Sequence, residues 1–337
     1  MSEKSVLYVT TPGACVRQTH GRLRVTREGK VLQEARLVDI ERVVVFGGTA
    51  GITSPAAACL MDAGIETAFF SSHGEFRGYL SPARTRGASL RLAQLAAYLD
   101  PERRIRLARA IVVQKIRNAD SLLARFSRNH PEVDMADERS RLGDALHAAQ
   151  RAESVSTLMG YEGAAAAAYF AAFGRMLRRG FTFTVRSRRP PRDPANALLS
   201  FGYTLLSAEA TNAVAGAGLD PTLGMLHALD AGRPSLGLDV AEEFRHPVVD
   251  RLVLHLTNNR ILSPERDFED AGAAGAFRMT DDARRLFLTA FEERMTAELP
   301  WGEPGTQLSL RDRLRLQASR LARAIREDVV YAPFAFR

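Results

Sequence analysis

The sequence predicts an α+β protein: a small β-rich N-terminal domain, sandwich-like with one helix, then a larger all-α domain carrying the candidate metal site. Three observations predict it. Residues 1–80 hold short, partly alternating segments rich in Val and Leu, separated by Pro-Gly, His-Gly and Glu-Gly-Lys turn signals. Ser81-Pro82 then marks a change of texture, and from Leu90 onward apolar residues recur at helical spacing. At about 150 residues per domain, 337 residues accommodate two, here 1–82 and 83–337.

Strands are expected at 7–10, 15–19, 22–26, 31–38 and 42–46. Ser54-Pro55 reads as a helix N-cap followed by proline at the first helical position, with apolar residues to Met61 and Gly64 where a C-terminal cap belongs. Strands return at 65–70 and 76–80. Residues 43–70 resemble the strand–glycine loop–helix–strand of a dinucleotide site. The spacing is GGxxG, however, and Phe70-Ser71-Ser72 stands where a ribose-binding acid is wanted, so a helix packed on a sheet is the better reading. Beyond Leu90, Pro101 opens a long helix whose Ile105, Leu107, Ala108, Ile111, Val112 and Ile116 form one stripe. Further helices are expected near 138–160, 162–178, 194–216, 221–229, 239–256, 281–298 and 309–328.

A chain that is 46% hydrophobic and 25% charged is neither disordered nor of low complexity. No apolar run approaches the ~18 residues of a membrane span, and MSEKSVLYVT lacks the apolar stretch of a signal peptide, so a cytoplasmic protein is expected. Cys15 and Cys59 are too few for a disulfide scaffold or a thiolate zinc site and read as small, mostly buried side chains. The net charge is +7, and since only Lys4, Lys30 and Lys115 are lysines, 43 of the 46 basic residues are arginines. Arginine presents a planar fork suited to phosphate oxygens, which directs attention to nucleic acid.

Glu162 precedes five alanines, Ala164 to Ala168, on a slim helix that other elements can approach; an acid at the head of such a helix can look into a crevice, or simply favour the helix N-terminus. His227 sits in a short apolar turn, where a lone histidine is usually structural. Asp239, Glu242 and His246 share one helical face, although Pro247 disfavours helix at His246, and Glu243 is expected to point to solvent. Taken together, Glu162, His227 and Glu242, 65 and 15 residues apart, are a plausible open site for a divalent ion. Carboxylates with one imidazole suit Mn²⁺ or Mg²⁺. Seven arginines and no acid lie between Arg175 and Arg192: Arg175, Arg178, Arg179, Arg186, Arg188, Arg189 and Arg192. Their mutual repulsion is best relieved by a polyanion. Two weaker clusters, Arg84–Arg117 and Arg311–Arg326, read equally well as solvated helix faces.

At these residues a family resemblance becomes specific. GYEGAAAAAYF around Glu162, RSRRPPRDPANALLSFGYTLL, GLDPTLGMLH ending at His227 and LDVAEEFRHPVVDR around Glu242 resemble the CRISPR-associated spacer-integrating endonuclease, the larger core adaptation protein of that defence system. The resemblance covers nearly the whole chain. It implies Glu162, His227 and Glu242 as metal ligands and catalytic residues, with Asp239 and Arg245 supporting them. It implies a metal-dependent integrase and endonuclease that joins a 3′-hydroxyl of short DNA to a CRISPR repeat. DNA with single-stranded 3′ ends would be held by the 175–192 arginines. The resemblance also implies a homodimer through the β-rich domain, with two dimers bridged by a dimer of the small adaptation partner. The rival readings are a non-catalytic DNA-binding scaffold and a metal-dependent phosphoesterase.

Overall fold

The computed structural model describes residues 5–71, 76–80, 88–270, 272, 275–300 and 307–336. Lys4, Ser72 and the 81–87 junction, with Ser81-Pro82, Arg84 and Arg86, lie outside the described residues. The chain divides into two compact units, Met1–Arg86 and Gly87–Arg337.

In the first unit, β1 (Ser5–Val9), β2 (Cys15–Thr19), β3 (Arg22–Arg27), β4 (Lys30–Arg36), β5 (Ile40–Phe46), β6 (Gly51–Ile52), β7 (Glu66–Phe70) and β8 (Phe76–Leu80) build two four-stranded sheets. Their orders are β1-β5-β7-β8 and β4-β3-β2-β6. The hairpins β2–β3 and β3–β4 turn on His20-Gly21 and Glu28-Gly29, all four at positive φ (47°, 74°, 49° and 79°). That is the twist-matched two-residue turn that the His-Gly and Glu-Gly pairs predict. Helix α1 (Ser54–Asp62) starts one residue earlier than expected: the cap is Thr53, whose hydroxyl accepts from the Ala56 N–H. Val9, Val43 and Val45 from one sheet, Val16, Leu23 and Val25 from the other, and Ala56 and Leu60 from α1 share one buried core. The glycine loop serves the sheet, since the Gly51 N–H donates to the Ala14 carbonyl at 2.8 Å.

The second unit consists of α2 (Ala88–Leu99), α3 (Pro101–Asn129), α4 (Ala136–Gln150), α5 (Val155–Met176), α6 (Pro194–Gly216), α7 (Ser235–Glu242), a wide π-helical turn (Arg245–Asp250), α8 (Arg251–Asn258), α9 (Asp281–Thr296) and α10 (Leu310–Glu327). Two short hairpins, β9 (Phe268–Asp270) with β10 (Phe277–Met279) and β11 (Glu298–Pro300) with β12 (Gln307–Ser309), lie between helices. Asp100, Ser154 and Asp193 cap α3, α5 and α6 through their side-chain oxygens, and Pro101 and Pro194 open α3 and α6. Helix α6 is buried along nearly its whole length. At Gly237 a Cβ would lie 2.3 Å from the Thr211 hydroxyl, and at Gly202 one would lie 2.5 Å from a Val249 methyl carbon, so both glycines allow close crossings against α6. These crossings fix α7 and the π turn, which carry Asp239, Glu242 and Arg245.

Two expected helices differ. The 138–160 segment breaks after Gln150 and restarts under the Ser154 cap, so Glu162 lies two turns inside α5 and not at its head. Residues 221–229 form no helix. Gln94 donates to the carbonyls of Asp220 and Leu223 at 2.9 Å each, while Asp239 accepts the N–H groups of Met225, Leu226 and His227. Side-chain partners have taken backbone groups that a helix would have paired.

Candidate functional site

The structure brings Glu162, His227 and Glu242 to one place, from α5, the 219–234 loop and the end of α7. Between the two carboxylates stands the ammonium of Lys115, from α3. It bonds Glu162 Oε1 directly, and its nitrogen lies 2.6 Å from Glu242 Oε2. That second contact is an ion pair without a directed bond, because no donor completes a hydrogen bond to Glu242 Oε2. The Lys115 and Glu242 side chains are 9% and 3% exposed, whereas those of Glu162 and His227 open further toward solvent at 24% and 16%.

Arg245 reaches Glu242 Oε1 at 3.1 Å, and His227 Nε2 lies 3.8 Å from the same oxygen. Burial alone would push the Glu242 carboxyl up; the Arg245 guanidinium and the Lys115 ammonium outweigh it and bring it down to about 2. Glu242 is therefore ionised across the physiological range. Asp239 is fully buried and holds His227 Nδ1 at 2.7 Å. With the proton assigned to Nδ1 by that partner, Nε2 keeps its lone pair and faces Glu242, the tautomer a metal ligand requires.

Two carboxylates and a free imidazole nitrogen are a donor set that fits Mn²⁺ or Mg²⁺. Among the described residues, no three or more Asp, Glu, His or Cys side chains are gathered closely enough to hold a metal ion as they stand; the space between the Glu162 and Glu242 carboxylates belongs to the Lys115 ammonium. A cavity next to them is lined by Lys115, Glu162, Arg188, Tyr203, Arg245 and His246. Behind it Asp250, fully buried, accepts from the Tyr169 and Tyr203 hydroxyls and from His246 Nδ1. Arg245 lies over the Tyr203 ring at 4.7 Å, and Arg186 also lies over it at 5.5 Å. His246 thus turns to Asp250, not to the Asp239–Glu242 pair: the π turn around Pro247 rotates it away from the straight-helix register.

The seven arginines divide into two groups. Arg175 bonds the Asp134 carbonyl and pairs with Glu138, and Arg178 bonds Glu132 and His130. Arg186 bonds Asn196 and Ser200, and burial lowers its guanidinium to about 10. Arg179, Arg188, Arg189 and Arg192 are exposed. The 311–326 cluster is only partly a solvated face, since buried Arg311 is paired with Glu209 and Glu292. Phe181 and Phe183 are packing residues, Phe183 stacking on Phe170 at 5.7 Å and Phe181 meeting Phe268 edge-on.

Glu243 corrects the sequence reading. It is 0% exposed and accepts from the Tyr331 hydroxyl, the Phe334 N–H and Gln317. Burial raises its carboxyl to about 7 despite those three donors. Lys115, Asp250 and Tyr169 also escaped sequence reasoning as site residues. One signal was available for Lys115: a rare lysine four residues after Ile111 on an apolar helical stripe.

The family model for CRISPR associated protein Cas1 matches residues 7–293. A CRISPR-associated endonuclease Cas1 of Thermus thermophilus is 38% identical over 335 residues, covering 98% of this chain and 97% of its own length. A CRISPR-associated exonuclease Cas4/endonuclease Cas1 fusion of Geobacter sulfurreducens is 37% identical, covering 97% of this chain and 59% of the fusion. The solved CAS1 protein of Thermotoga maritima superposes with a TM-score of 0.81 at 26% identity, covering 99% of both chains. A casposase bound to integration product shares the fold, with a TM-score of 0.85 at 21% identity over 98% of this chain and 94% of its own. No helix among the described residues is long and apolar enough to cross a membrane. Sequence and fold agree from β1 to α9, and the chain belongs to the CRISPR associated Cas1 family.

Proposed function

We propose that this chain is a metal-dependent DNA endonuclease and strand-transfer integrase of CRISPR spacer acquisition, with Glu162, His227 and Glu242 as the residues that hold a Mn²⁺ or Mg²⁺ ion. In the integration step a 3′-hydroxyl oxygen of a short DNA fragment bonds to a repeat phosphorus, and the bond from that phosphorus to its former 3′-oxygen breaks. Hydrolysis uses the same site with water as nucleophile. When bound, the ion supplies charge stabilisation at the phosphodiester. Glu162 and Glu242 bring negative charge to hold it, and Asp239 keeps His227 in the ligating tautomer. Arg245, stacked on Tyr203, offers fixed positive charge beside the cavity that Arg188 also lines. Exposed Arg188, Arg189 and Arg192 would hold the DNA backbone at the site mouth.

The observation that carries this reading is the convergence of Glu162, His227 and Glu242 from three separate elements, with His227 preset by Asp239. The assembly would be a homodimer through the β-rich unit, two such dimers being bridged by a dimer of the small partner. Its support is the likeness of fold to the Cas1 portion of a Cas6-RT-Cas1–Cas2 complex. Residues 1–82 would then be the dimerisation domain, and 83–337 the catalytic, DNA-binding domain. The test is to incubate the protein, with and without its partner, with a supercoiled repeat-bearing plasmid, a labelled fragment and Mn²⁺. Label should join the plasmid with the wild-type protein and not with Glu242→Gln; equal joining by both would remove the site from the reaction.

A further inference from the structure

The ammonium of Lys115 occupies the space between the two carboxylates that a divalent ion would share. It touches Glu162 from α5 and Glu242 from α7, so one side chain holds two separate helices' acids together. Glu242 is already neutralised on its other oxygen by Arg245. Adding a divalent ion here would set two further positive charges beside the Lys115 ammonium and the Arg245 guanidinium, and like charges a few ångströms apart in a partly buried space repel strongly. That repulsion falls on whichever resident cation is freer to move. Arg245 is pinned, lying over the Tyr203 ring at 4.7 Å, and that ring's hydroxyl is bound to buried Asp250. Lys115 is a point charge on a four-carbon stem, and it also lines the cavity beside Glu162, so it has both the freedom and the room to move.

We propose that Lys115 is a built-in placeholder for the divalent ion. Its ammonium keeps the two carboxylates together while the ion is absent, and ion binding displaces it into the adjoining cavity. The inference rests on the metal reading of Glu162, His227 and Glu242. It gives the site a property that the ligand set alone lacks: the protein is folded and its acids are gathered before any ion arrives, and the ion competes with an internal cation. The resident ammonium therefore lowers the apparent affinity for the ion.

The chain contains only three lysines, Lys4, Lys30 and Lys115, which makes the test direct. The full-length wild-type protein is treated with a small amine-acylating reagent, with and without Mn²⁺, and each lysine is quantified by mass spectrometry. Lys30, exposed on β4, is the reference. Lys115 should be protected without the ion and become several-fold more reactive with it, while Lys30 does not change. In parallel, Lys115→Gln should bind Mn²⁺ about tenfold more tightly by calorimetry, equivalent to ~1.4 kcal/mol. If the wild-type protein binds Mn²⁺ while Lys115 reactivity stays constant, or if Lys115→Gln binds no more tightly, the placeholder is wrong. If neither protein binds Mn²⁺, it is the metal reading itself that fails. Because labelling uses the wild-type chain, a misfolded variant would not remove the test.

Discussion

Asp239 and His227 form the most completely specified pair in the site: one carboxylate holds the imidazole Nδ1 at 2.7 Å and also accepts the N–H groups of Met225, Leu226 and His227 itself. Ring and backbone are thus oriented by the same acid. Asp239→Asn places an amide where the carboxylate stood and weakens the hold on the ring tautomer. Loss of an outer partner of this kind costs about 10–100-fold in metal affinity. Calorimetry with Mn²⁺ should show that loss while circular dichroism stays native. Wild-type affinity in the variant would reduce Asp239 to a loop anchor.

Glu162→Gln, His227→Ala and Glu242→Gln should each remove both integration and cleavage, and a double variant should be no worse than a single one, because ligands act as a unit. DNA binding should persist in all of them. Glu153→Gln, an exposed acid just before α5, is the silent control. Substantial activity in any one ligand variant would break the assignment of that residue.

The arginine loop separates two effects. Replacing Arg188, Arg189 and Arg192 with alanine should weaken DNA binding and flatten its salt dependence by about 0.9 in log–log slope per lost duplex-phosphate contact. Arg186→Ala should instead lower the melting temperature, since Arg186 bonds Asn196 and Ser200 from a largely buried position. A triple variant with an unchanged salt slope would show that the loop does not carry DNA.

Glu243 gives the stability a pH dependence of known sign. Its folded carboxyl, raised by burial to about 7, lies above its unfolded value, so folding favours the protonated form. The contribution is fully present below the unfolded carboxyl range and is lost as pH rises through about 7. The loss is on the order of 3 kcal/mol. Glu243→Gln keeps an acceptor for the Phe334 N–H but cannot ionise. It should come closest to the wild type at about pH 4, below the ordinary glutamate range, and exceed it increasingly in melting temperature toward pH 8. Parallel melting curves across that range would contradict the assignment.

A dimer through the β-rich unit predicts that light scattering finds two copies in the full-length protein and one in a chain lacking residues 1–82. A monomeric full-length chain at micromolar concentration would defeat this arrangement.

The strands and long helices were legible because a half-buried strand and an amphipathic helix write their period into the sequence, as the β2–β3–β4 hairpins and the Ile105–Ile116 stripe show. Glu162, His227 and Glu242 emerged as candidate ligands from their residue types and the family resemblance. Lys115 and Asp250 did not emerge, because a buried charge is recognisable only once its partners from other helices are known. Glu243 was misassigned for the same reason. Helical phase sets it apart from Glu242, but the segment covering it comes from nearly ninety residues later in the chain. The 221–229 loop failed as a helix because Gln94, from distant α2, and Asp239, on the following helix, capture its backbone groups.

Glu242 and Glu243 are consecutive, yet one faces Lys115 in the candidate site and the other is gripped by residues 331–334. Asn118, one turn beyond Lys115, is held from the same side through the Phe334 carbonyl and the Phe336 N–H. The 331–336 segment therefore braces α7 and α3 from behind the candidate site. Removing residues 331–336 would release Glu243 and Asn118 together and so loosen α7 and α3 at once.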